Sequence, residues 1–494
     1  MKFILHPLTL SFLSICMATT LVHAESHPST SPPSAEITAL KRLESLKTFE
    51  NISQLKTPDV QEFKTQSGTR VLFVAAPELP IVDVKLVFDA GSARDSELKS
   101  GQYGLASLTA QLLDEGTSTQ TTDQISANFE RLGAQFGAAA YRDMFTVNLR
   151  SLSDNNLLNP AVDQLLSILK DAQVPQTSYD RVMQQNRIRL AQQKDSPSTT
   201  AGIRFWQEMY DKHPYAQPTT GTLASIDQIK PADIRKFKDT YLVAKNLNIA
   251  IVGQMNLEQA KALAERITQS LPQGQHARAL PKPETTTART IYAPFNSTQT
   301  HILMGEIGIT RDNPDLPALT LGNELFGGGD FSAILMKELR EKRGLTYGAY
   351  SSFSAMHSNG PFIINYSTRT EQMDESLRVA KQALRDYVQH GVTQDKFDEA
   401  KTGVLNSYPL SLSSNSSIAS TLASMGFFGL ASSYMADYPK QIEAVTPEAA
   451  HQAFVRYVNP DKMLVVVLGK EKPKTDGEST STSTKSAANT TTNQ

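Results

Sequence analysis

The sequence predicts an α+β protein built from two homologous domains in tandem. At 494 residues the chain is too long for one ordinary hydrophobic core. Its apolar patterns follow the order strand, strand, helix, helix, strand, which does not fit a regular βαβ parallel sheet. A set of landmarks also recurs at a fixed spacing along the chain, which indicates an internal repeat.

Four pairs of landmarks carry the repeat, and all of them share an offset of 216 residues: Ile226 and Ile442, Pro231 and Pro447, Tyr241 and Tyr457, Gly253 and Gly469. One such match could arise by chance, whereas four in register indicate two related units. The apolar strand Leu247–Gly253 accordingly pairs with Met463–Gly469.

The elements of the first half follow from the period of their apolar residues. Alternating and continuous apolar runs predict strands at Val71–Ala75 and Ile81–Phe88. Apolar spacings of three and four predict helices at Leu105–Leu113, Ala161–Asp171 and Tyr179–Gln193.

In the second half, Gly327-Gly328-Gly329 precedes a helix-like segment, Phe331–Arg343. Asp330 is the predicted N-cap of this helix and Gly344 its C-terminal stop. The next segment, Leu345–Phe353, alternates like a strand. The three glycines lack the following Lys-Ser/Thr of a phosphate loop, which argues against nucleotide binding.

These patterns divide the chain into a signal peptide (1–24), a flexible leader (25–55), a first domain (56–270), a Pro- and Gly-containing linker (271–287), a second domain (288–471) and a Ser-, Thr- and Asn-rich disordered tail (472–494). The formal net charge of -2, with no basic run, excludes a nucleic-acid binder.

The first residues predict export. Lys2 supplies a positive start, Leu8–Leu21 is largely apolar, and Val22-His23-Ala24 offers small residues for cleavage after Ala24. A membrane anchor is the alternative, but the apolar run is short and interrupted by Ser and Thr. A lipoprotein would use Cys16, although Ile15 stands where a small residue is wanted. We expect a periplasmic protein whose mature chain has no cysteine and no membrane span.

The segment from Gly104 to Thr117 resembles the zinc-site helix of the insulinase/pitrilysin (M16) metallopeptidases. In that family the pattern is Gly-x-Ala-His-x-x-Glu-His, followed after four residues by Gly-Thr. Here Ser107 and Gln111 occupy the histidine positions and Ala110 the position of the catalytic glutamate. These side chains cannot replace two imidazoles and a general base, so the resemblance implies a zinc site that has degenerated.

The family's third zinc ligand is a glutamate roughly 75 to 80 residues further on. The region Tyr179–Gln207 contains several glutamines but no glutamate. No two of the seven histidines that follow Ala24 lie within one helical turn, so another zinc site would have to be improvised from distant ones. His213, in a His-Pro-Tyr element similar to one in the family, is expected to anchor a loop.

The block from Leu325 to Tyr347 resembles the pattern of the M16 C-terminal domain. The resemblance implies that Arg340 and Tyr347 correspond to an arginine and a tyrosine that reach the substrate at the zinc. Guanidinium and phenol donors suit that role, because they can hold a scissile carbonyl and stabilise an oxyanion. The alternative is that Arg340 belongs to the solvated end of a charged helix, within Lys337–Arg343.

The resemblance spans Phe63 to Lys470. It implies two LuxS/MPP-like metallohydrolase domains, each a mostly antiparallel sheet packed with helices, forming half of a clamshell. It also implies a non-catalytic subunit that has no cofactor of its own. That subunit would form a heterodimer with an HxxEH-bearing, zinc-containing M16 partner and act on peptides or unfolded polypeptides. Two alternatives stay open: a stand-alone peptide-binding or chaperone-like module, and a hydrolase that uses unforeseen ligands.

Overall fold

The computed structural model describes residues 57–285, 287–329 and 331–473. The predicted signal peptide, the leader, the N-cap Asp330 and nearly all of the C-terminal tail lie outside these described residues. The bounds of the six predicted segments stay predictions.

Within the described residues, the first half forms a six-stranded sheet with the order β1-β2-β6-β3-β5-β4. Its strands are β1 (Gln61–Lys64), β2 (Arg70–Ala75), β3 (Ile81–Phe88), β4 (Gln135–Ala140), β5 (Phe145–Leu152) and β6 (Leu247–Gly253). Every neighbouring pair is antiparallel except β2 and β6.

The described part of the second half forms a five-stranded sheet with the order β7-β11-β8-β10-β9. Its strands are β7 (Arg289–Pro294), β8 (Gln299–Ile307), β9 (Ala349–Phe353), β10 (Pro361–Arg369) and β11 (Leu464–Gly469). Only β7 and β11 run parallel among these pairs. The order reproduces β2-β6-β3-β5-β4 of the first sheet, which confirms the predicted repeat and the mostly antiparallel α+β fold.

The helices of the first half are α1 (Leu105–Leu112), α2 (Thr122–Arg131), α3 (Asn155–Asp171), α4 (Gln176–Gln193), α5 (Pro197–Tyr210), α6 (Leu223–Ile226), α7 (Pro231–Tyr241) and α8 (Leu257–Ser270). Those of the second half are α9 (Leu316–Asn323), α10 (Met373–His390), α11 (Gln394–Ser407), α12 (Asn415–Phe427), α13 (Tyr434–Ala444) and α14 (Pro447–Tyr457). The bounds of α7 and α14 differ by the same offset as the sequence landmarks. No helix in the described ranges is both long and apolar enough to cross a membrane.

Each sheet has one outer face covered by a helix from the opposite half. Leu422 of α12 packs with Leu72 and Val87 of the first sheet. In return, Phe205 of α5 packs with Val466 of the second sheet. Because the central strands are buried on both faces, they are nearly continuous apolar runs. The halves therefore share their hydrophobic cores.

A buried polar cluster also joins the two halves. The Tyr215 hydroxyl donates to Asp143 and accepts the backbone N–H of Ser358 at 3.0 Å. His213 binds the carbonyl of Pro281 through Nε2 at 2.8 Å and accepts the N–H of Tyr215 on Nδ1. The predicted anchoring role of His213 is confirmed, since it fixes the linker to the first half.

Two predicted elements of the second half are shorter than expected. The segment predicted as helix Phe331–Arg343 contains a π-helix, Met336–Glu341. Gly344 follows three residues later in the left-handed region, with φ +61°. The strand predicted from Leu345 begins only at Ala349, because Thr346 Oγ1 binds both the N–H and the carbonyl of Gly348 and forms a local turn.

Candidate functional site: a degenerate metal site and an exposed arginine-tyrosine pair

Helix α1 is fixed at its N-terminus by a buried carboxylate. The two oxygens of Asp95 accept the backbone N–H groups of Gly104 at 2.6 Å and Ala106 at 2.8 Å. Burial raises the pKa of Asp95 to about 8, although the N–H groups oppose that shift. Gly104 has φ +96°, and a Cβ there would approach the Thr220 carbonyl to 2.8 Å, so only glycine fits this start.

Ser107 and Gln111 lie one turn apart on the half-buried face of α1, as the sequence predicted. Gln111 Nε2 donates to Ser107 Oγ at 3.1 Å and to the Ser107 carbonyl at 3.2 Å. Ala110, in the position of the general base, is 6% exposed and offers only a methyl group.

Asn186 is the third member of this site, and the sequence did not predict it. Asn186 Nδ2 donates to Gln111 Oε1 at 2.8 Å from helix α4, and the residue is 3% exposed. Its position in the chain falls within the window expected for the third zinc ligand. The family's ligand at this place is a glutamate, and an asparagine in a segment rich in glutamines has no pattern that would indicate it.

Asn186 is held by two further hydrogen bonds. Its Nδ2 also donates to the Val182 carbonyl at 2.8 Å, and its Oδ1 accepts from the exposed guanidinium of Arg189. The four side chains of Ser107, Gln111, Asn186 and Arg189 therefore form one connected chain, which we call the polar relay. Its members carry no carboxylate, thiolate or imidazole.

These residues do not fit a zinc ion. Zinc in proteins is held by thiolate, imidazole or carboxylate groups, and the relay supplies a hydroxyl, two amides and a cation. No cluster of three or more His, Cys, Asp or Glu side chains suited to a metal is present among the described residues. The nearby carboxylate of Glu115 pairs with Arg181.

In the second half, the three glycines serve close packing. A Cβ on Gly327 would lie 2.6 Å from both Leu335 Cδ1 and Ser351 Oγ, and one on Gly328 would lie 2.4 Å from Asn323 Nδ2. The backbone of this segment lies so close to Ser351 of strand β9 that a side chain at Gly327 would not fit between them. The glycine block is therefore a structural element that sets the start of the following segment.

Arg340 differs from its charged neighbours. Lys342 and Arg343 both bind the Glu338 carboxylate, at 2.6 and 2.7 Å. The guanidinium of Arg340 instead lies 4.5 Å from the ring centroid of Phe331, and no carboxylate of the described residues pairs with it. A guanidinium without a counter-ion is available to a ligand.

Tyr347 is the central residue of the turn formed by Thr346 and Gly348, and it is 86% exposed. No described residue binds its hydroxyl. The structure does not bring Arg340 and Tyr347 to the polar relay: α1 packs against α4, α7 and β4, whereas Met336–Glu341 packs against α10 and β9. The two candidate regions lie in different halves of the chain.

The edge strands of the two sheets also differ. The outer edge of β9 already has hydrogen-bond partners within the same half. The Ala349 N–H donates to Met336 Sδ at 3.3 Å, and the Ser351 carbonyl accepts from Asn323 Nδ2 at 3.0 Å. The Tyr141 N–H donates to the Met144 carbonyl, and along an antiparallel pair such hydrogen-bonded residue pairs alternate with pairs that are not hydrogen-bonded. In β4 the backbone N–H and C=O groups of residues 136, 138 and 140 therefore point away from β5. No hydrogen bond from another described residue meets these groups, so β4 has an open edge.

Comparison with known proteins identifies this architecture. Residues 70–223 match the family model for insulinase (peptidase family M16), and residues 228–404 match the model described as the peptidase M16 inactive domain. A crystal structure of the peptidase M16 inactive domain from Pseudomonas fluorescens is 36% identical, with a TM-score of 0.80, and the match covers 84% of this chain and 99% of that one.

Two curated relatives are more distant. A non-peptidase homolog from Helicobacter pylori is 24% identical over 86% of this chain and 95% of its own length. A protein from Rickettsia bellii named an uncharacterized zinc protease is 24% identical over 69% of this chain and 81% of its own length. The family models, the relatives and the neutral side chains at the metal positions lead to one conclusion: the chain belongs to the peptidase M16 (insulinase) family and is an inactive member of it.

Proposed function

We propose that this chain is the non-catalytic subunit of a periplasmic two-chain M16 zinc protease. In this proposal Arg340 and Tyr347 bind the peptide and stabilise the oxyanion at the zinc site of an HxxEH-bearing partner. The zinc ion and the general base belong to that partner, and the two chains form a heterodimer around a peptide or an unfolded polypeptide.

One observation carries the proposal. Arg340 and Tyr347 are chemically free for a ligand: the guanidinium has no carboxylate partner in the described part of the chain, and the phenol is 86% exposed. Both groups are hydrogen-bond donors, and a guanidinium and a phenol can bind the carbonyl of a peptide or the oxyanion that forms from it. The same chain has replaced its own metal ligands with neutral side chains, so it lacks the other half of the chemistry.

The test is to purify the chain with and without an HxxEH-bearing M16 protein from the same organism and to measure cleavage of a quenched fluorogenic peptide. We expect turnover in the mixture and none from this chain alone. Arg340→Ala and Tyr347→Phe should each lower turnover by about 100-fold, because each removes one donor to the oxyanion, while assembly stays unchanged.

Two variants of the same residue types serve as matched controls. Arg343→Ala removes an arginine that is occupied by Glu338, and Tyr350→Phe removes a hydroxyl from a half-exposed tyrosine on β9. Neither should change turnover appreciably. If the controls and the test variants behave alike, the role assigned to Arg340 and Tyr347 is wrong.

The periplasmic location has its own test. Residues 1–24 fused to alkaline phosphatase should direct that enzyme to the periplasm, and cytoplasmic retention would contradict the assignment.

A second candidate function, a stand-alone peptide-binding module, is favoured by the open edge of β4. Outward N–H and C=O groups can pair with an extended peptide. Binding of peptide by the isolated chain, together with no cleavage in any mixture, would favour this function over the first.

A further inference from the structure

We propose that the degenerate metal site of this chain is itself a binding site for a peptide oxygen, either a main-chain carbonyl or a C-terminal carboxylate, which it holds through the hydroxyl of Ser107. The proposal concerns the isolated chain and is independent of the partner subunit.

The direction of each hydrogen bond in the polar relay is fixed by chemistry. Arginine can only donate, so Asn186 Oδ1 must be the acceptor of the bond from Arg189. Asn186 Nδ2 therefore faces Gln111 Oε1, and its second proton goes to the Val182 carbonyl, which can only accept.

The same reasoning fixes the next step. Gln111 Oε1 accepts from Asn186, so Gln111 Nε2 is the donor to Ser107 Oγ. The second Nε2 proton meets the main-chain carbonyl of Ser107, which confirms this orientation of the amide. The Val182 carbonyl thus fixes the orientation of the Asn186 amide, and the Ser107 carbonyl fixes that of the Gln111 amide.

The polar relay consequently ends on the Ser107 hydroxyl, which has no acceptor among the described residues. Ser107 Oγ accepts from Gln111, and in the described part of the chain no acceptor takes the proton of its own hydroxyl. Ser107 is half-buried on the face of α1 that faces α4. A chain of aligned hydrogen bonds that starts at a cation polarises each following group, so this terminal hydroxyl is a strengthened donor.

The ligand class follows from the charges. A cation and neutral donors select an oxygen acceptor, and Arg189 has no carboxylate partner among the described residues, so the site also favours negative charge. The site has no general base and no metal ligand set, so it can bind a peptide oxygen but cannot activate water against it. The ancestral cleavage chemistry is thereby replaced by recognition.

The experiment measures the dissociation constant of the full chain for two fluorescently labelled unfolded peptides of identical sequence, by fluorescence anisotropy. One peptide has a free C-terminal carboxylate and the other a C-terminal amide. Equal affinities assign the bound oxygen to a main-chain carbonyl, and tighter binding of the free acid assigns it to the carboxylate; either result supports the proposal if the variants below respond.

Three variants test the relay. Ser107→Ala removes the terminal donor and should weaken binding by about tenfold, which corresponds to the loss of one hydrogen bond. Ser107→Thr keeps a hydroxyl and should retain binding. Gln111→Glu places a carboxylate beside Ser107, and the Ser107 hydroxyl then donates to that carboxylate instead of to the peptide. This variant should weaken binding about as much as Ser107→Ala.

Gln185→Glu is the matched control for the added charge, because Gln185 is exposed on α4 beside Asn186. It should leave the affinity within about twofold, since an exposed charge is screened by solvent. The proposal is overturned if Ser107→Ala and Gln111→Glu both bind like the wild type, if Gln185→Glu weakens binding as much as they do, or if the isolated chain binds neither peptide up to its solubility limit.

Discussion

Replacing Tyr215 by phenylalanine should weaken the junction between the two halves without touching either candidate site. Tyr215 is completely buried, and its hydroxyl serves two partners: it donates to the Asp143 carboxylate and accepts from the N–H of Ser358 at 3.0 Å. The variant Tyr215→Phe deletes both bonds and leaves both partners buried.

The expected loss is about 3 kcal/mol. A hydrogen bond to a charged group contributes about 1.5–3 kcal/mol, and an orphaned buried N–H adds a penalty of about 1 kcal/mol or more. At about 2 °C per kcal/mol for a large domain, the melting temperature should fall by about 6 °C. Differential scanning calorimetry at matched scan rates measures this shift.

The loss should also depend on pH. Burial raises the pKa of Asp143, while the N–H of His357 and the Tyr215 hydroxyl oppose that shift. An acid whose folded pKa is raised loses stability as pH rises through that value, and removing the hydroxyl raises the pKa further. Tyr215→Phe should therefore cost more at pH 8 than at pH 5.

Tyr210→Phe is the matched control, because its hydroxyl makes one bond, to the Asn359 carbonyl at 2.9 Å, at the same junction. It should cost about 1 kcal/mol. The reasoning is refuted if Tyr215→Phe costs no more than Tyr210→Phe, or if its cost is the same at both pH values.

Three further predictions concern other parts of the chain. Burial raises the pKa of Glu306 to about 7, so the wild type should lose stability between pH 5 and pH 8. In urea titrations Glu306→Gln should remove up to about 3 kcal/mol of that loss, and an unchanged pH profile of the unfolding free energy would contradict the assignment. Leu422→Ala should cost about 3 kcal/mol in the same titrations, because the residue is fully buried between α12 and the opposite sheet; a loss below about 1 kcal/mol would mean that α12 contributes little there. The combined variant Ser107→His, Gln111→His, Asn186→Glu should bind one zinc ion per chain by mass spectrometry under native conditions, and no gain over the wild type would show that the helices no longer hold the ligand geometry.

Much of the fold was predictable because the apolar periods are strong and the repeat keeps one offset. Strand Ile81–Phe88 and strand Leu247–Gly253 are observed with the predicted bounds, and α1 differs by one residue. The turn at Thr346 was missed, because a side chain that binds its own backbone leaves no trace in the apolar pattern that predicts strands. The π-helix at Met336–Glu341 was missed for a similar reason, since its pattern differs little from that of an α-helix.

The candidate site was predictable only where residue types carry chemistry. Ser107, Ala110 and Gln111 were found because they replace histidines and a glutamate within an intact frame. The sequence did not predict Asn186 and Arg189 as members of the site, because neither their residue types nor their spacing indicates a contact with another helix. Only the packing of α4 against α1 identifies them as members of the polar relay.

The exchange of α5 and α12 between the halves has a consequence for biosynthesis. While the chain is emerging from the ribosome, the first sheet has one apolar face that stays bare until residue 427 has been made. An uncovered apolar face favours association between chains, so a chain truncated in the linker should aggregate rather than accumulate as a folded single domain. Neither half can cover its own sheet, so the two halves have to be synthesised as one polypeptide.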